Sequence, residues 1–101
     1  MPFLDIFNPA TGSLLTQLPA DDAASVAAKY LAARLAQPAW AATPLAERKT
    51  CVLNFRAAVV AERDDLALVM TLETGKPIQM SRNELNGLLG RIDFFLAEVD
   101  A

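Results

Sequence analysis

The chain of 101 residues sets nine Lys and Arg against twelve Asp and Glu, for a net charge of −3 and a pI near 4.7. That acidic balance, with no basic cluster, excludes the basic face that nucleic acid binding needs and gives nothing to hold an anionic membrane. Yet 53% of residues are hydrophobic and the mean hydropathy is +0.27, more apolar surface than one domain this small buries alone, so either an apolar face meets a partner or the chain is part of something larger.

Residues 3–7 (FLDIF) and 13–18 (SLLTQL) read as two short strands around Asn8-Pro9-Ala10-Thr11-Gly12. Pro9 presets φ for the turn, the Asn8 side chain can accept from a backbone N–H two residues on, and Gly12 can take the positive φ that returns the chain. The spacing predicts a hairpin over residues 1–18. Pro19 closes its second strand.

Asp22 is placed to cap a helix over 23–36, with Ala23, Val26, Ala27, Tyr30, Leu31 and Leu35 as one apolar stripe. Pro38 should stop it, leaving Trp40 in a connector as a plug between helices rather than a ligand-stacking ring. Thr43-Pro44 reads as the next helix start, a hydroxyl cap followed by Pro at the first helical position. Leu45, Val52, Phe55 and Val59 mark its inner face. Glu62-Arg63-Asp64-Asp65 breaks the pattern, and a shorter helix is expected over about 65–74 with Leu66, Val69, Met70 and Leu72 apolar.

The stretch Leu72-Glu73-Thr74-Gly75-Lys76-Pro77 contains a Gly-Lys pair, but not a phosphate loop. Met70 stands where that loop needs its first Gly, and Pro77 where it needs a hydroxyl. Gly just past the last periodic residue, with Pro two further on, is instead a helix C-terminus, where Lys76 can meet the helix's negative end. From Ile78 the pattern restarts. Ile78, Leu85, Ile92 and Val99 recur every seven residues, with Ser81, Leu88 and Phe95 in the second seam position, giving one helix of about 20 residues or more. Gly87 and Gly90 on it each cost roughly 1 kcal/mol against Ala, which suggests close approach by a neighbouring backbone. No capping signal precedes Ala101, so the helix reads as interrupted.

The fold class expected is therefore mainly α: a small N-terminal β-hairpin plus about four helices. Residues 1–101 are taken as a single segment, 1–18 the hairpin and 22–101 the helical part.

Little chemistry is visible. No histidine exists to serve as base or metal ligand, and the single Cys51 excludes an internal disulfide and fits a reducing, cytoplasmic compartment. Beside Val52 and Leu53 within a helix, Cys51 reads as a buried structural thiol. Asp21-Asp22 and Asp64-Asp65 precede helices, where carboxylates favour the positive end, so they read as caps rather than acid–base pairs. The four glycines form no dinucleotide fingerprint. The start, Met1-Pro2-Phe3-Leu4-Asp5, lacks the charged start and apolar core of a signal peptide, and no apolar run approaches a membrane span. On these grounds no catalytic, cofactor-binding or metal-binding residue is expected in this chain.

Three stretches taken together carry a resemblance: Asn8-Pro9-Ala10-Thr11-Gly12; Pro38-Ala39-Trp40 followed by Glu47-Arg48; and Thr71-Leu72-Glu73-Thr74-Gly75-Lys76-Pro77 followed by Glu84 and Asp93-Phe94-Phe95. In that order and spacing the chain resembles the N-terminal segment of an NAD(P)-dependent aldehyde dehydrogenase, with a short lead similar to succinate-semialdehyde-type members. The resemblance implies a partial piece of an α/β fold. Its chemistry is attack of a Cys thiolate on an aldehyde, hydride transfer to NAD or NADP, and release of the acid by a Glu-activated water. All of those residues lie downstream of the matched segment, and Cys51 does not match the nucleophile.

The resemblance also places Glu84 and Leu88 on the side of the long helix that borders the aldehyde entry tunnel. From the residues alone, Glu84 reads as a solvated or capping carboxylate and Leu88 as core. The chain is expected to be inactive by itself and to bind no cofactor alone. Its partner would be the remainder of an aldehyde dehydrogenase chain, or a second copy through Ile78, Leu85, Leu88, Ile92, Phe95 and Val99. The alternative is a self-standing helical interaction module without catalysis.

Overall fold

In the computed structural model, which describes residues 2–100, β1 (Phe3–Phe7) and β2 (Leu14–Pro19) pair antiparallel, Phe3 opposite Pro19 and Phe7 opposite Leu14, with a bulge between Ile6 and Phe7. The turn is built as its residues require. Asn8 Oδ1 accepts from the Ala10 N–H at 2.9 Å, Gly12 sits at φ 74°, and Asn8 N donates to Ser13 O at 2.9 Å. Asp5 and Gln17, directly opposite, are joined by a 2.7 Å side-chain hydrogen bond.

Four helices follow among the described residues: α1 (Ala23–Ala42), α2 (Leu45–Ala61), α3 (Arg63–Thr74) and α4 (Ile78–Glu98). A mainly α chain with an N-terminal hairpin is thus what these residues form. Asp22 caps α1 in a reciprocal box. Its carboxylate accepts from Ser25 N at 2.8 Å, and the Ser25 hydroxyl accepts from Asp22 N at 2.9 Å.

These bonds have a pH consequence. Ser25 N–H, then the Ser25 hydroxyl, hold Asp22 below the ordinary aspartate value; Lys29, then Ser25, do the same for Asp21. A carboxyl more acidic folded than unfolded stabilises fully above its unfolded pKa, and that contribution is lost as pH falls through the folded value. Asp22→Asn keeps the acceptor but cannot titrate. Its helical circular dichroism signal should therefore fall less than the parent's below about pH 4. Superimposable acid titrations of the two proteins would refute this account of the cap.

Pro38 does not stop α1. The helix runs through it to Ala42, so Trp40 lies in the last turn rather than in a connector. Ala39, Ala41 and Ala42 favour helix, and the chain is exposed from Leu31 to Ala42, so the carbonyl that a proline leaves without an amide partner faces water. Thr43 then ends α1 instead of starting α2. Its hydroxyl donates to Ala39 O at 2.8 Å and its N–H to Ala39 O at 3.1 Å, while Pro44 takes the capping position of α2.

Between α2 and α3 the expected break shrinks to Glu62. Its N–H closes α2 on Ala58 O and its carbonyl accepts from Leu66 N. Asp64 and Asp65 consequently fall inside the first turn of α3, still at its positive end.

Gly75 ends α3 at φ 77°, ψ 3°, with its N–H on Thr71 O, and α4 folds back against α3. α2 lies antiparallel to α4, as the pairs Lys49–Asp100 and Arg56–Asp93 show, and Arg63 at the start of α3 reaches Asn86 further back along α4. The Arg56 pair is two-pronged, at 2.7 and 2.9 Å. The core lies where these three helices meet: Val59, Ala67, Leu85 and Leu89, with Met70, Ile78 and Leu88 packed against it. Ser81 is also fully buried and is satisfied by a 2.8 Å hydrogen bond with the Thr71 hydroxyl.

Several inward positions differ from expectation. Phe55 is exposed and Arg56 half-buried, because α2 turns its Val52–Val59 face to α4. Cys51, one residue from Val52 and so on another face, is exposed rather than buried. The apolar stripe of α1 is open along its length: Val26, Tyr30, Leu31 and Leu35 are all exposed. Gly87 and Gly90 face open space, with no atom within 4 Å of an added Cβ, so no neighbouring backbone approaches them among the described residues.

Candidate functional site

Two features of α4 carry the functional argument, one at each end. At its start, the capping turn brings Lys76 back over the helix, and Lys76 Nζ is ion-paired with Glu84 Oε1. The lysine charge is thus matched by a side chain on α4. Glu84 remains half in solvent. Leu88, one turn further on the same face, is half-buried against the core cluster. The two residues are neighbours on α4, and neither is among the residues lining the two apolar recesses at its other end.

This turn also receives the hairpin. A Cβ built on Gly75 would stand 3.0 Å from Cγ of Pro9, so the ring of Pro9 in the hairpin turn lies against the bare Cα of Gly75. Asn8-Pro9-Ala10-Thr11-Gly12 and Glu73-Thr74-Gly75-Lys76-Pro77, which are far apart in sequence, meet in space.

At the other end, between α2 and the C-terminal part of α4, lies an open apolar groove of about 530 Å³, lined by Val52, Ile92, Phe95, Leu96, Glu98 and Val99. A smaller recess of about 150 Å³ continues from it to Trp40, Leu45, Arg48 and Lys49. Trp40 walls this recess and is 46% exposed, so it plugs the junction of α1, α2 and α4 only in part. Of the apolar seam proposed from the sequence, Leu85 is inside the core and Ile78 and Leu88 pack against it. Beyond the core, Phe95 and Val99 are exposed and Ile92 is half-buried, joined by half-buried Leu96, which the seven-residue spacing had not marked.

Chemically the arrangement offers packing and charge pairing. No cluster of three or more His, Cys, Asp or Glu that could hold a metal exists among the described residues, and Cys51 has no histidine anywhere in the chain to serve as its base. No helix among them is long and apolar enough to cross a membrane.

The family model described as the aldehyde dehydrogenase family matches residues 2–101, and the chain belongs to that family. Over 95 residues it is 37% identical to the succinate-semialdehyde dehydrogenase (NADP+) of Escherichia coli strain K12, covering 94% of this chain and 20% of that protein. It is 40% identical over 89 residues to the N-succinylglutamate 5-semialdehyde dehydrogenase of Chromobacterium violaceum, covering 88% of this chain and 18% of that protein. With the 3,6-anhydro-alpha-L-galactose dehydrogenase of Streptomyces coelicolor the identity is 30% over 95 residues, 94% of this chain and 19% of the relative. The chain therefore spans about a fifth of the length of the curated relatives it matches.

Proposed function

We propose that residues 1–101 act as a single N-terminal structural segment of an NAD(P)-dependent aldehyde dehydrogenase that oxidises an aldehyde to its carboxylic acid. The observation that carries this reading is the family match along residues 2–101, in a chain only a fifth as long as its relatives. The open apolar groove agrees with it as a surface on which further polypeptide could pack. In this reading the nucleophile, the activated water and the NAD or NADP site belong to that further polypeptide, in the cytoplasm. The hairpin and helices brace the cofactor domain, and Glu84 and Leu88 border the aldehyde path.

The reading of Glu84 and Leu88 is tested in the longer enzyme. Leu88→Ala should change KM for a bulky aldehyde several-fold while leaving kcat for a short one nearly unchanged. Equal loss for both aldehydes would mark Leu88 as core alone.

The reading as a whole is tested by the DNA after codon 101. A frame continuing into a dinucleotide-binding domain is expected, and its product should reduce NAD+ or NADP+ with succinate semialdehyde, the first substrate to try given the relatives' names. A stop codon there would favour the self-standing helical module. Residues 1–101 alone should give no aldehyde-dependent NADH or NADPH and should bind neither cofactor. Steady turnover by purified 1–101, abolished by Cys51→Ala, would overturn the proposal. Where the remaining polypeptide is missing, the open part of the α4 stripe should pair two copies of this chain.

A further inference from the structure

We draw no further inference here: the strongest candidate, the open apolar groove between α2 and the C-terminal end of α4 lined by Val52, Ile92, Phe95 and Leu96, is the face already assigned above, and nothing in the structure shows what covers it.

Discussion

Gly75→Val should destabilise the chain by about 2 kcal/mol or more, the largest loss expected from a change at any of its glycines. Two separate costs meet at this position. The backbone is left-handed, φ 77°, where a side chain crowds the carbonyl by roughly 1–2 kcal/mol and a β-branched one fares worst. The new Cβ would also stand 3.0 Å from Pro9 Cγ, so the hairpin turn must shift to admit it. Chemical denaturation at constant pH measures the loss. Gly87→Ala and Gly90→Ala are the matching controls, since both lie in helix with open space around them. Each should raise stability by roughly 0.5–1 kcal/mol. An unchanged midpoint for Gly75→Val would mean that neither the αL cap nor the Pro9 contact matters to the fold.

The contrast between these glycines shows what the sequence made legible. Gly75 could be read because capping is local: a glycine after the last periodic residue and a proline two beyond it need no knowledge of the rest of the molecule. The same holds for the Asn8–Gly12 turn and the Asp22 cap, which close within a few residues. Pro38 misled because its cost inside a helix depends on surroundings. Where the helix is exposed, water serves the carbonyl left without an amide partner, and Ala-rich sequence carries the helix on.

The inward face of α4 was legible only in part. A strict seven-residue spacing drifts about 20° per repeat on a straight helix. Counting in true turns, Leu96 stands about five turns directly above Ile78, and the half-buried line shifts from Phe95 to Leu96. Leu89 enters the core by the same drift. The Lys76–Glu84 pair and the Pro9–Gly75 contact depend on how α4 folds back and how the hairpin lies. No local pattern encodes either. Glu84 and Leu88 were singled out by family resemblance alone, for the residues themselves say only charge and core.

Phe95→Asp should weaken self-association of the 1–101 chain at least about tenfold while leaving its unfolding midpoint nearly unchanged. Phe95 is 60% exposed on the wall of the groove, so the substitution removes little from the fold itself. A large apolar side chain left in water forfeits roughly 1.5–3 kcal/mol of burial, and about 1.4 kcal/mol already corresponds to a tenfold change in a dissociation constant. Phe3→Asp supplies the control, since Phe3 is as exposed, at 57%, but lies on β1 and is not among the residues lining the groove. Sedimentation velocity over a range of concentrations separates the cases. If both variants lose association equally, general stickiness rather than the groove is the cause. If the parent chain sediments as a compact monomer at high concentration and binds no dye specific for apolar surface, two copies do not pair through this face. With the same face closed by the remaining polypeptide of a longer enzyme, Phe95→Asp should act differently. It would then place a charge in a covered interface without a partner, and the cost should appear as lost stability rather than lost association.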